Sequence, residues 1–321
     1  MNSRNVFNSI LLMVLLSLPS VIYPQNTSLD WINKNAHELP SDSASSHHDL
    51  RFLSKIVKDK TIVGLGEASH GTHEFYFHKR RMIEYLVSQE GYRLIGLEFA
   101  NSYIEPINNY IQTGRGDLKS MIKSMVLYNS DQIYLLCQWL HRFNQSRSLY
   151  DKVTILGFDD EEFWRDPLTR DEEMAKKFIR TQQLRSPKSI LWSHNLHLAK
   201  DTTMAQYKGM GYHVKEEFGD HYYAIGFDTY SGSVNVINSG GIEVRQFTGT
   251  EDTLSDLFRE ARLEAFFVDF DQPDNPFLGS KNLITNIYSD WREPRLLPIV
   301  PGADFDGLVF IRTTTESKTL K

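Results

Sequence analysis

A single cysteine, Cys137, stands in the 321 residues, so no internal disulfide can form and the fold must rest on its apolar core. Cys137 lies in the run Tyr134-Leu135-Leu136-Cys137-Gln138-Trp139-Leu140, where a small buried hydrophobe is expected rather than a nucleophile. Positive charge is also scarce. Thirty-five Lys and Arg face 41 Asp and Glu, the formal net charge is −6, and no long basic run occurs. Phosphate backbones are bound by basic faces, so nucleic acid is excluded as an expected partner. The N-terminal apolar run, residues 10–16, is far shorter than the ~20 residues that span a bilayer. Several catalytic signatures are missing as well. There is no Gly-x-Ser-x-Gly, no His-Glu-x-x-His and no Gly-Lys-Ser/Thr, and Gly64-x-Gly66 lacks the third glycine of a dinucleotide loop. Ser69 and Ser193 each precede a histidine directly, a spacing that rarely gives nucleophile–base geometry.

Residues 1–25 read as a secretory signal peptide: Arg4 supplies the positive end, residues 10–16 the apolar stretch, and Pro19-Ser20 the break. The protein is therefore expected to be secreted or periplasmic, without a stable membrane anchor. Residues 26–48 form a polar N-terminal segment, 49–315 one catalytic domain, and 316–321 a tail, with fraying expected after Arg312.

Within the domain, strand-like and helix-like patterns alternate. Thr61-Ile62-Val63-Gly64-Leu65-Gly66, Leu94-Ile95-Gly96-Leu97-Glu98, Val153-Thr154-Ile155-Leu156-Gly157-Phe158 and Ser189-Ile190-Leu191-Trp192 read as buried strands. Residues 222–227, 266–270 and 308–311 add further strands. Residues 73–90 predict a helix closed by Gly91, and residues 102–112 and 117–146 are helical around Gly114 and Gly116. Thr169-Arg170-Asp171-Glu172 predicts a capping box at the next helix. Apolar runs without strict alternation, separated by helices, indicate an α/β fold with a mostly parallel sheet flanked by helices.

Ligands of such sheets sit at the carboxyl ends of the strands. There the chain places Glu67 and His70, Glu98, Asp159, and the pair His194 and His197. Imidazole serves as acid or base near neutral pH, and a carboxylate at a buried strand end must be paired or face a cleft. Gly64 and Gly66 are expected to let the strand turn so that Glu67 and His70 face a cavity. For Glu98, either an ion pair with Lys79-Arg80-Arg81 or the orientation of an imidazole or a water is expected. His73 and His78 fall on the following helix and are expected to be solvated, with His73 the nearer to a substrate. Asp159 heads an acidic run and is a further candidate substrate contact.

Four motifs resemble those of the erythromycin esterase family. Gly66-Glu67-Ala68-Ser69-His70-Gly71-Thr72-His73-Glu74-Phe75 is similar to its GEATHGTxEF signature, with Ser69 in place of Thr. Glu98 stands at the spacing of its essential glutamate, Arg170-Asp171-Glu172-Glu173-Met174-Ala175 resembles its RDxxMA helix start, and Trp192-Ser193-His194-Asn195-Leu196-His197 its WxHNxH motif. The resemblance runs from about residue 45 to 315. It implies an erythromycin esterase-like fold with a helical segment covering the strand ends, and a hydrolase that opens a small-molecule ester or lactone with activated water, without metal or other cofactor. By position, His70 would be the general base and Glu98 would orient it or the water, while Glu67, His194 and His197 would complete the catalytic set. Lys79 takes the place of a site arginine, with Arg80 as an alternative cation, and His73 and Asp159 would join them in binding substrate. The stretch between Glu98 and His194 is shorter than in macrolide-cleaving members, which implies a different pocket. A metal-dependent hydrolase on the same cluster and a non-catalytic binding protein are the competing readings.

Overall fold

The computed structural model describes residues 25–40, 46–185, 188–291 and 293–321. The signal-peptide reading lies, but for Gln25, outside them. The strands are β1 (His37–Glu38), β2 (Ile62–Leu65), β3 (Tyr92–Leu97), β4 (Thr154–Gly157), β5 (Lys188–Trp192), β6 (Tyr222–Asn238), β7 (Gly241–Thr248), β8 (Ala265–Asp269), β9 (Asn282–Asn286), β10 (Arg295–Ile299) and β11 (Gly307–Thr314). The main sheet runs β1-β8-β11-β6-β2-β5-β3-β4. All pairings from β11 to β4 are parallel; β8 pairs antiparallel with β11 and β1, and β7 antiparallel with β6. Strands β9 and β10 form a separate antiparallel pair.

Successive strand residues point to opposite faces, and each face has its own core. Val63, Leu65, Ile95, Leu97, Ile190 and Trp192 pack on one side, against α2 (Phe52–Ile56), α3 (His73–Gln89), α4 (Asn101–Thr113), α5 (Leu118–Lys123) and α6 (Asp131–Gln145). Ile62, Leu94, Leu191, Tyr222 and Ala224 pack on the other, against α1 (Gln25–Asn35), α7 (Arg170–Arg185), α9 (Met210–Phe218) and α10 (Leu254–Arg259). Between β5 and α9 sits the single turn α8 (Asn195–Leu198). The expected α/β architecture is thus present, as a helix–sheet–helix sandwich. None of the helices among the described residues is long and apolar enough to cross a membrane.

Two local expectations, on the tail and on the capping box, are corrected, and the polar N-terminal segment is seen to hold a helix. The polar segment after residue 25 carries α1, anchored by buried Trp31 and Ile32, with the Trp31 indole donating to the Pro273 carbonyl at 2.9 Å. The tail does not fray: Ser317 is buried and donates its amide to Gly71 O at 2.9 Å, and Lys318 O accepts from Asp131 N at 2.9 Å. The capping box does not form, because the Thr169 hydroxyl turns to Asp166 at 3.0 Å and Glu172 pairs with Lys176 at 2.8 Å.

Gly66 is required by close approach rather than by a tight turn. Asn195 bridges to β6, donating to Phe227 O at 2.7 Å and accepting from Phe227 N at 3.1 Å. A Cβ on Gly66 would lie 2.2 Å from that Asn195 Oδ1 and 3.1 Å from Ile225 O. Gly66→Ala is expected to lower unfolding free energy by about 1–3 kcal/mol, read as a reduced urea midpoint at constant m-value. An unchanged midpoint would show that the Asn195 bridge yields without loss.

Candidate active site

The register of the sheet assembles the site. Leu65, Trp192, Leu97 and Gly157 form one row across β2, β5, β3 and β4. Adjacent strands lie ~4.8 Å apart, so side chains leaving this row meet above the sheet edge. Glu67, His194 and Glu98 leave from three neighbouring strands, and Asp159 from the fourth.

Glu67 is fully buried. Its Oε2 accepts from Lys79 Nζ at 2.6 Å and from the Trp192 indole at 3.0 Å, while Oε1 takes His70 Nδ1 at 2.6 Å. A carboxylate can only accept, so Nδ1 carries the proton and the lone pair of neutral His70 lies on Nε2. That nitrogen faces Glu98 Oε1 at 3.8 Å, too far for a direct hydrogen bond. Burial opposes protonation of His70, but Glu98 and the bond to Glu67 outweigh it and raise its pKa above the ordinary 6.5. Burial likewise pulls Lys79 down to about 8, against the attraction of Glu67.

Glu98 is held from every side. Oε2 accepts from Ser193 Oγ at 2.6 Å and from the His194 amide at 2.8 Å. Oε1 faces His197 Nε2 at 3.2 Å and Arg170 Nη2 at 3.3 Å. Burial alone would favour the neutral acid; His197, His70 and Arg170 prevail and hold its pKa well below the usual carboxylate range.

The two paired histidines have opposite electrostatics. His197 also reaches Asp171 Oδ1 at 2.8 Å, so both ring nitrogens donate to carboxylates. Against the penalty of burial, Asp171 and Glu98 push its pKa to about 10. His197 is therefore an imidazolium at neutral pH and no base. Its raised pKa contributes stability that is complete below the unfolded value near 6.5 and lost as pH climbs through about 10. In His194, Nδ1 caps α8 by accepting the Leu196 amide at 3.2 Å. Burial and the neighbouring His70 press His194 down to about 3, and it stays neutral.

Of the residues expected at the site, His70, Glu98, Glu67, His194, His197 and Lys79 come together. Asp159 joins them through Arg170, whose Nε and Nη2 reach its two oxygens at 2.9 and 2.7 Å. Arg80 does not belong to the cluster: it bonds Gln132 and Glu84, both at 2.8 Å. Nor does His73, which is buried rather than solvated, 3.9 Å from Asp131, its amide bonded to Thr315 O. His78 is buried as well. The ion pair expected between Glu98 and Lys79-Arg80-Arg81 is absent, because Lys79 serves Glu67 and Arg81 pairs with Asp49.

The residues that sequence reasoning missed are Arg170, Asp171, Trp192, Ser193 and Tyr128. The first four stand inside recognised motifs, where Arg170 and Asp171 mark a helix start, Trp192 ends a strand and Ser193 reads only as the residue before a histidine. Tyr128 carried no signal. Its ring lies 5.7 Å from that of His70. Among the described residues, no group of three or more His, Cys, Asp and Glu side chains is arranged to hold a metal ion.

Residues 87–166 and 160–314 match the sequence profile described as erythromycin esterase. Over 131 residues the chain is 31% identical to YbfO of Bacillus subtilis (strain 168), a protein named as a hydrolase, covering 40% of this chain and 28% of YbfO. Over 117 residues it is 27% identical to erythromycin esterase type II of Escherichia coli, covering 36% of this chain and 27% of that protein. The aligned segments thus span little more than a quarter of either relative. A crystal structure of a Bacillus cereus protein superposes with a TM-score of 0.82 at 21% identity, over 93% of this chain and 100% of the other, and shares its fold. The profile spans most of the catalytic domain, including Glu98, Arg170 and the His194–His197 pair, and this chain belongs to the erythromycin esterase family.

Proposed function

We propose that the protein is an esterase or lactonase in which His70 activates water, acting outside the cytoplasm if residues 1–25 direct export. One observation carries this reading: Nε2 of His70 is a basic nitrogen with no direct bond, on an imidazole oriented through Nδ1 by a buried carboxylate. A water held between Nε2 and Glu98 would give its proton to Nε2 as its oxygen adds to the carbonyl carbon. Collapse of the tetrahedral intermediate breaks the carbon–oxygen bond, and the imidazolium returns the proton to the departing alkoxide. Glu67 orients the ring and stabilises the imidazolium, as the aspartate of a hydrolytic triad does. Glu98 remains ionised throughout because its own partners are fixed. Lys79 and His197 serve the two carboxylates. Arg170, about a quarter exposed, is the cation best placed to meet a polar group of the substrate.

p-Nitrophenyl acetate and butyrate, together with simple lactones, test this directly. His70→Ala is expected to lower kcat by about 10²–10⁴-fold, with wild-type turnover unaffected by EDTA. A His70→Ala enzyme within a few-fold of wild type would refute the assignment, and loss with EDTA restored by a divalent cation would point to metal chemistry.

The base must be unprotonated, so kcat/KM should rise with pH along a limb centred above 6.5, where His70 titrates. Glu98→Gln removes a charge that favours the imidazolium, and the limb should move to lower pH. A limb that stays in place in the folded variant would exclude His70 as its origin.

A further inference from the structure

Two polar atoms beside His70 are buried without a hydrogen-bond partner: Oη of Tyr128 and Nε2 of His194. The residues are 3% and 5% exposed, and their rings lie 5.7 and 5.4 Å from the His70 ring. Buried polar groups in native proteins are nearly always satisfied, so two unsatisfied ones around one reactive imidazole point to a ligand that satisfies them.

Both atoms are donors. Because Nδ1 of His194 accepts the Leu196 amide, its single proton is on Nε2. The Ala68 carbonyl beside the ring accepts the Ile287 amide at 2.8 Å and keeps a second lone pair within reach of His194, so a substrate oxygen would take the Nε2 proton in its place. Burial, then Glu67 and Glu98, push the Tyr128 phenol well above its ordinary 10, so it keeps its proton. Neither group changes charge across the working range of a histidine base. Neutral imidazole acting as an electrophile is an established device in other enzymes.

The backbone holds Tyr128 in place. It closes the turn Val126–Tyr128 between α5 and α6, where Val126 has φ +47, a conformation that β-branched residues rarely adopt. On the far side of that turn, Asn129 Oδ1 accepts the Leu320 amide at 3.1 Å, and Asp131 N donates to Lys318 O. Strain kept at a site by surrounding contacts accompanies preorganisation.

We infer that Tyr128 Oη and His194 Nε2 form an oxyanion site, donating to the substrate carbonyl oxygen as it becomes the tetrahedral oxyanion. This inference rests on the hydrolytic reading above. The same donors would bind a stable tetrahedral anion such as benzylphosphonate.

The test pairs turnover of p-nitrophenyl acetate with calorimetric binding of benzylphosphonate, in wild type, Tyr128→Phe and His194→Asn. Asparagine retains an acceptor for the Leu196 amide, so the α8 cap survives. Each variant is expected to lose about 10²–10³-fold in kcat with KM within threefold, and to bind the phosphonate at least tenfold more weakly, at near-wild-type Tm. If wild type hydrolyses the ester and both variants retain kcat within threefold, the oxyanion site is overturned while the hydrolytic reading stands. A loss of kcat with unchanged phosphonate affinity would reduce the two residues to packing and overturn it too. If wild type is inert on every ester and lactone yet binds the phosphonate through both residues, the hydrolytic reading fails and the anion site survives. If wild type neither hydrolyses nor binds, both fall.

Discussion

The carboxylate of Glu98, left by its strand at the buried edge of the sheet, is the point on which the site depends. An uncompensated charge there would be strongly destabilising. Compensation comes from Ser193 and the His194 amide at the end of β5, from His197 on α8 and from Arg170 on α7, so one side chain determines how three elements meet. The second-neighbour groups follow. His197 needs Asp171, Arg170 needs Asp159, and Asp171 in turn takes the Met210 amide at 2.8 Å and the Tyr207 hydroxyl at 3.1 Å.

The cluster has a simple charge balance. Glu67, Glu98, Asp159 and Asp171 face Lys79, Arg170 and His197, and His70 is the remaining group that can hold or release a proton. With His70 neutral the set carries one excess negative charge; with His70 protonated it is balanced. Accepting a proton is therefore favoured by the whole assembly, which explains why the imidazole titrates high despite burial. At His194, where no carboxylate contacts the ring directly, the same burial prevails. Two histidines in one motif thus differ by several pH units in their titration because of their partners alone.

The sheet was legible because buried parallel strands are continuous apolar runs with short, recognisable ends, and the cluster was legible because its titratable groups sit just beyond those ends. Partner choice was not. Lys79, Arg80 and Arg81 are adjacent on one helix, and helical rotation alone sends the first to Glu67 and the others to Glu84 and Asp49. Arg170 and Asp171 were visible as a motif, yet their reach across the sheet edge depends on tertiary placement. Tyr128 lies in a turn with no periodicity to mark it. The polarity of residues 26–48 hid α1 because two buried side chains, Trp31 and Ile32, are enough to dock it.

The segment around Ser317 also bears on when the centre comes into being. Its amide holds Gly71, next to His70, while Lys318 and Leu320 fasten the turn that carries Tyr128. These contacts join residues from widely separated parts of the chain, and such pairings close slowly because much of the chain must already be ordered. As synthesis proceeds, Glu67, His70 and Glu98 emerge long before the residues that brace them. Until then His70 is an ordinary histidine in water. The cluster around His70 is thus complete only once the C-terminal segment has docked.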